Sequence, residues 1–238
     1  MKSIPKKIHY CWFGKSPLPP LAVKCIDSWH KHMPDYEIIR WDESNFDINI
    51  SNYTKEAYNK QLYAFVSDYA RFYILNKHGG IYLDTDVEII KPLHEILING
   101  PSLGIETNGQ VNPGLGMAAI PNMSFINEII DFYNALHFIR KDGTINYNTI
   151  VFYISSLLHQ KGWDGEASKF QGFRIYPTEY FCPLDYQTGK LQLTNNTFSI
   201  HHFAASWIKT DQKIYQLILK LFGNKVASLC SKIYKTFK

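Results

Sequence analysis

The chain has 238 residues, 45% hydrophobic and 19% charged, which excludes a disordered chain and suffices to bury roughly 70% of the unfolded surface without a disulfide or metal staple. Four scattered cysteines (Cys11, Cys25, Cys182 and Cys230) form no CxxC pair, which excludes a zinc knuckle and points to reduced thiols in a cytosolic protein. Net charge is +4, but Lys209 to the end holds seven lysines against one acid, Asp211, leaving 18 basic and 20 acidic groups on the preceding 208 residues; with only four arginines on that acidic body, nucleic acid is not an expected partner.

In chain order, Lys7 to Phe13, bounded by Pro5 and Gly14, reads as a short strand. Ser16 to Pro20 is a loop feeding a helix that stops near Met33, before Pro34. Tyr36 to Trp41 reads as a second strand, so the opening forty residues form a βαβ unit with parallel pairing. A long helix is expected from about Glu56 to His78, with apolar positions Leu62, Phe65, Val66, Tyr69, Phe72, Tyr73 and Leu75 at three- and four-residue steps. Gly79 and Gly80 cap it.

Two apolar stretches follow, Ile81 to Leu83 and Val87 to Ile90, separated by the acidic turn Asp84-Thr85-Asp86. Downstream come a Gly/Pro/Asn-rich segment from Glu106 to Gly116, helices near 124–137 and 148–160, and strands at 173–176 and 198–203. The remainder carries two apolar stripes at helical spacing, Ile214 to Phe222 and Val226 to Phe237, accompanied by lysines. No run approaches the ~18 apolar residues of a spanning helix, and the N-terminus lacks an apolar leader, so neither a secreted nor an integral membrane protein is expected.

The strongest chemical feature is Asp84-Thr85-Asp86 directly after an apolar strand. A strand end presents its next residues at the carboxyl edge of an α/β sheet, where ligands bind. Two carboxylates one residue apart can reach one hard divalent cation and leave positions for phosphate oxygens, which suits Mg²⁺ or Mn²⁺. The plainer alternative is a solvated acidic turn. Asp68 and Arg71 stand at i and i+3 on one helix face, the spacing of an ordinary ion pair.

Three motifs together resemble glycosyltransferase family 32, the DXD-containing group that includes capsular-polysaccharide and yeast mannosyl transferases and is related to the glucosylating domain of large clostridial toxins. They are Ile4 to Gly14 at the start, Ala64 to Arg71 with Gly79 to Asp86 in the middle, and His201 to Trp207 at the end. The resemblance implies a GT-A-type α/β fold, a Rossmann-like mixed sheet flanked by helices, over residues 1–208; the apolar spacing and lysines beyond it read as a basic amphipathic helical tail over 209–238, lying either on a membrane or packed as a hairpin on protein.

It also implies a retaining, metal-dependent enzyme that takes a hexose from a nucleotide-sugar donor, a UDP-sugar as the leading choice. Carried over residue by residue, Asp68, Arg71, Asp84 and Asp86 are the catalytic set. Trp12 stacks on the donor's base; Ser67, Asp68, Arg71, Tyr82, Asp84, Ser206 and Trp207 contact the donor, and Asn112 joins them. Asp86, Asp84, His202 and Ser206 hold Mn²⁺ (or Mg²⁺), with His202 preferred over His201.

The expected partners are the donor and a glycan or lipid-linked glycan acceptor in bacterial capsule or surface polysaccharide synthesis. Through the tail, an anionic membrane surface at the inner face of a cytoplasmic membrane is a further expected partner, and homo-oligomerisation is open. Two other classes compete. A DxD phosphohydrolase would need a small pair such as Gly-Thr after the second Asp and a downstream Asp-Asp; here Val87-Glu88 follows and no Asp-Asp occurs. A non-catalytic binding module is opposed by the intact Asp68, Arg71, Asp84 and Asp86.

Overall fold

The computed structural model describes residues 3–204. Ser206, Trp207 and the tail expected over 209–238 lie outside the described residues. The first half contains β1 (Lys7–Cys11), α1 (Pro20–His32), β2 (Glu37–Trp41), α2 (Asn52–Asn59), α3 (Tyr63–His78), β3 (Gly80–Tyr82), β4 (Val87–Ile89) and α4 (His94–Leu97). Then follow β5 (Ser102–Ile105), β6 (Val111–Asn112), β7 (Met117–Ala119), α5 (Ser124–Asn134), α6 (Ile150–Gln160), β8 (Lys169–Phe170), β9 (Phe173–Tyr176), α7 (Thr178–Phe181) and β10 (Ser199–His201).

The expected βαβ opening is present, with β1 and β2 parallel and Ile8 opposite Ile38. The large sheet runs β2-β1-β3-β7-β5-β9-β8, with β6 on β5. It is mixed: β1 pairs β3 in parallel, β3 pairs β7 antiparallel, and β5 pairs β9 in parallel. Period-two alternation sends side chains to two cores. Cys11, Tyr82, Met117 and Ala119 pack with Phe65, Phe72, Ile126 and Ile154 of α3, α5 and α6. Ile8, Tyr10, Ile81, Leu83 and Ala118 pack on the other face with Cys25, Trp29, Ile96 and Phe181 of α1, α4 and α7. Helices therefore cover both faces of a mixed sheet, the α/β architecture expected from the sequence. Cys11, Cys25 and Cys182 are buried free thiols, and among the described residues no helix is long and apolar enough to cross a membrane.

The single helix expected over 56–78 is two helices. Ser51 and Thr54 form a capping box that starts α2 upstream of Glu56. Gln61 then takes a left-handed φ of 57°, which interrupts the helical ladder before α3 begins. The apolar periodicity from Leu62 to Leu75 belongs to α3 alone, and Tyr53 and Ala57 of α2 join the same core. Gly79 caps α3 as expected, its N–H donating to the Leu75 carbonyl at 2.8 Å. The Gly/Pro/Asn-rich segment, read as a loop, instead carries β6 and a 3-10 turn at Pro113–Leu115.

A second, two-stranded sheet matters most for the site. β10 pairs β4 antiparallel, with His201 opposite Val87. The Asp84-Thr85-Asp86 turn is thus the crossing from β3 in the large sheet to β4 in the small one, and it brings the end of the described chain to the carboxyl edge of β3.

Candidate active site

Arg71 is the centre of charge. Its side chain is only 4% exposed, and it is held at four points. Nε donates to the Ser67 carbonyl at 3.1 Å, Nη2 to Asp68 Oδ1 at 3.0 Å, and Nη1 to Asp84 Oδ2 at 3.4 Å. Nη2 also lies 3.4 Å from Asp84 Oδ1. The guanidinium carbon sits 4.7 Å above the centre of the Tyr82 ring, a cation–π contact. Burial opposes this charge, but Asp84, Tyr82 and Asp68 outweigh it and the guanidinium stays protonated.

Asp68 is buried beside it. Burial raises its pKa to about 7, against the pull of Arg71, and its Oδ2 accepts the N–H of Ile150 at the start of α6, at 3.2 Å. The two carboxylates that share Arg71 thus differ in surroundings: Asp68 is enclosed, while the Asp84 side chain is 29% exposed. Tyr82 donates its hydroxyl to Asp84 Oδ1 at 3.3 Å. Burial holds the Tyr82 hydroxyl protonated and pushes the neighbouring Cys11 thiol up to about 12.

Asp84 is also placed by its backbone. Its N–H donates to the Gly114 carbonyl at 2.9 Å. A Cβ at Gly114 would overlap the Asp84 carboxylate and come within 3.0 Å of Arg71 Nη1, so a glycine is required there for space. Asn112, buried in β6, accepts the Gly114 N–H at 2.6 Å and donates to Glu106 Oε1 at 2.6 Å.

Asp86 faces the small sheet. His201 Nε2 lies 3.4 Å from Asp86 Oδ1, and His201 Nδ1 lies 3.8 Å from Glu106 Oε1. Burial works against a charge on His201, but the Asp86 carboxylate overrides it and holds the imidazole protonated. His202, the residue preferred from sequence, points elsewhere. Its N–H donates to the Asp86 carbonyl at 2.9 Å, but its ring faces Glu88 Oε2 at 2.8 Å, an oxygen shared with Lys24. His202 lies just past the end of β10, so its ring turns to Glu88 of the paired strand while the ring of His201 reaches Asp86 on the turn before β4.

Trp12 follows the end of β1, as Asp84 follows the end of the adjacent parallel strand β3. Its indole N–H donates to the Ser16 carbonyl at 2.8 Å, and the ring is half-buried. Ser67 donates its hydroxyl to the Tyr63 carbonyl at 3.2 Å while its own carbonyl holds Arg71. The structure thus gathers Ser67, Asp68, Arg71, Tyr82, Asp84 and Asn112 into one bonded set, with Asp86 on the same turn. Glu106 and Gly114 were not singled out from sequence. The only signal for them was a Gly/Pro/Asn-rich segment headed by an acid.

Asp84 and Asp86 offer hard oxygen donors from one turn, the chemistry that Mg²⁺ or Mn²⁺ takes when substrate phosphates complete the shell. Among the described residues no three ligating side chains converge on one point. The described part fits the acidic half of such a site.

The structure thus sets an Asp-x-Asp turn at the carboxyl edge of a mixed α/β sheet against a buried Asp-Arg pair. Residues 19–103 match the family described as "Glycosyltransferase sugar-binding region containing DXD motif", and the resemblance read from the motifs holds. The chain is 26% identical over 229 residues to inositol phosphoceramide mannosyltransferase 1 of Schizosaccharomyces pombe, covering 90% of this chain and 66% of that protein. It is 34% identical over 103 residues to inositol phosphoceramide mannosyltransferase 3 of the same yeast, covering 40% and 28% respectively. To the subversion of eukaryotic traffic protein A of Legionella pneumophila it is 29% identical over 111 residues, 35% of this chain and 17% of that one. The chain thus spans about two thirds of the first of these relatives and under a third of the other two. Among solved structures it is similar to the PaToxG Glycosyltransferase, at 20% identity and a TM-score of 0.45, over 68% of this chain and 71% of that one.

Proposed function

We propose that the protein is a retaining, metal-dependent glycosyltransferase that moves a hexose from a nucleotide diphosphate sugar to a glycan or lipid-linked glycan acceptor. A UDP-sugar is the leading donor, and bacterial surface polysaccharide synthesis at the inner face of the cytoplasmic membrane is the setting. The observation that carries the reading is the buried Arg71, bound to Asp68 on one side and to Asp84 of the Asp-x-Asp turn on the other.

Leaving-group departure places negative charge on the diphosphate and positive character on the sugar carbon. Catalysis then consists of fixed charge aimed at those developing charges. Asp84 and Asp86 would hold Mn²⁺ or Mg²⁺, with Ser206 as a further ligand, and the cation would supply positive charge at the diphosphate. Arg71 adds a second positive charge beside Asp84 and, by sharing its fork, keeps Asp68 and Asp84 from repelling one another. Asp68, Ser67 and Tyr82 line the same edge as polar contacts for the donor. Trp12 offers a flat face for the base, and the family resemblance assigns the leaving group to Trp207.

The test is release of free nucleoside diphosphate from UDP-glucose, UDP-galactose and GDP-mannose, each with and without Mn²⁺. Cation-dependent release from one donor supports the reading, with retention checked from the anomeric proton of the product. Inorganic phosphate as the product would mark a phosphohydrolase, and donor binding without turnover would mark a binding module. Two relatives are named mannosyltransferases, which favours GDP-mannose as the second donor to try.

A further inference from the structure

Glu106 follows β5 at the head of the segment that carries Asn112 and Gly114. Its side chain is 10% exposed, and a carboxylate so enclosed needs partners to offset its lost hydration. Its Oε1 accepts from Asn112 Nδ2 at 2.6 Å, and its Oε2 accepts from Asn108 Nδ2 at 3.3 Å. The Asn112 amide cannot be turned the other way. Its Oδ1 accepts the Gly114 N–H at 2.6 Å, and a backbone N–H can only donate, so the NH₂ must face Glu106. Gly114 in turn offers its carbonyl to the Asp84 N–H at 2.9 Å. Two side-chain steps and one backbone residue, Gly114, therefore join Glu106 to the first aspartate of the turn.

A second arm reaches the other aspartate. Glu106 Oε1 lies 3.8 Å from His201 Nδ1, a buried nitrogen, and the Cys182 thiol also stands beside the ring. The opposite ring nitrogen lies 3.4 Å from Asp86 Oδ1. An imidazole between two carboxylates is attracted to both, and its orientation toward Asp86 depends on the charge behind it. The two arms leave Glu106 in different directions, one within the large sheet and one to β10 of the small sheet, and end on the two carboxylates of one turn.

We propose that Glu106 is a positioning residue for the aspartate pair, setting Asp84 through Asn112 and Gly114 and Asp86 through His201, and so setting the affinity of the turn for a divalent cation. The cation part rests on the proposed function; the positioning part rests on the contacts alone. Glu106→Gln keeps the shape and an acceptor for Asn112 but removes the charge behind His201. Asn112→Ala cuts the first arm only, and Glu106→Ala cuts both.

The experiment compares these variants with the wild-type chain by two readouts that do not require turnover. One is the backbone amide spectrum at Gly114 and Asp84 together with the ring nitrogens of His201; the other is Mn²⁺ binding followed by electron paramagnetic resonance. The expected result is an upfield move of the Gly114 amide proton in Glu106→Ala and Asn112→Ala, and a His201 ring change in both Glu106 variants. Mn²⁺ dissociation constants should rise about tenfold for Glu106→Gln and further for Glu106→Ala, as for lost partners of metal ligands. Should Glu106→Ala fail to fold, Glu106→Gln and Asn112→Ala decide. Unchanged Gly114 and His201 signals in the folded variants overturn the positioning role. A wild-type chain that binds no Mn²⁺ overturns the cation reading and leaves the positioning role to be judged on the spectra. Mn²⁺ affinity equal to wild type in every folded variant, despite moved signals, overturns the link between the two.

Discussion

His9 is the group through which acid should loosen this fold. It lies in β1 with no exposed surface. Its Nε2–H donates to the Gly79 carbonyl at 2.9 Å, and its Nδ1 accepts the Trp41 indole N–H at 3.0 Å. Those two bonds require the neutral ring, because a proton on Nδ1 would face the indole donor. Burial, helped by the nearby charges of His78 and Lys7 and opposed by the Gly79 bond, lowers its pKa from 6.5 to about 4. With the folded value below the unfolded one, the unfolded chain takes up a proton first as pH falls. The stabilisation is therefore complete above about pH 6.5 and is lost progressively down to about pH 4. At about 1.4 kcal/mol for each pH unit of displacement, the loss is about 3 kcal/mol. Urea unfolding of the wild-type chain and of His9→Gln at intervals from pH 7.5 to 4.5 measures it. Carboxylates lose their own stabilisation in the same range, so the quantity to read is wild type minus variant. That difference should shrink by roughly 2 kcal/mol or more over the window. A difference that stays flat would refute the argument that the imidazole is held neutral.

Asp86→Asn removes a charge from the turn and should cut Mn²⁺-dependent donor turnover by about 100-fold or more at low Mn²⁺, with the circular dichroism spectrum unchanged; near-normal activity would remove Asp86 from the cation site. Arg71→Lys keeps the charge but loses the planar fork that joins Asp68 to Asp84. A fall of about 10²-fold in kcat is expected from steady-state kinetics, and normal rates would leave the pair with a structural role. Gly114→Ala places a methyl against the Asp84 carboxylate and should cost about 1–3 kcal/mol in thermal or urea unfolding, as well as donor turnover; an unaffected variant would show that the loop yields easily. The lysine-accompanied stripes beyond Lys209 predict that the full chain co-sediments with anionic vesicles in low salt and that a chain ending near Thr210 does not. Equal binding by both would assign those stripes to protein packing.

Much of the frame was legible because its signals are local. Pro5 and Gly14 bracket β1, Pro34 stops α1, and Gly79 caps α3, each through a backbone property that holds in any fold. Asp68, Arg71 and Asp84 could be named together through the resemblance of the motifs that contain them; helix spacing and a strand end alone did not join them. What was missed depends on tertiary context. The break between α2 and α3 turns on a left-handed Gln61, a residue type that gives no such signal. β5, β6 and β7 are two to four residues long, too short to show an alternation. The choice between His201 and His202 depends on how the end of β10 lies against the Asp86 turn, which only the long-range pairing with β4 sets. Glu106 looked like any acid at the head of a loop until Asn112 and His201 were brought to it from elsewhere in the chain.

The turn between the two sheets also sets a timetable. Among the described residues its second strand, β4, pairs with β10 alone, and Glu88 and His202 meet across 114 residues of sequence. Non-local pairings of this kind form late, since a long stretch must be ordered before they are rewarded. A ribosome-bound chain that has released residues 19–103 already carries the recognisable motif, yet Asp86 at that moment lacks the imidazole that faces it and Glu88 lacks its second side-chain partner. The protein is therefore built so that the aspartate pair is finished only when the last strand arrives. Nascent chains, and fragments cut to the boundaries of the matched region, would carry the signature without the site.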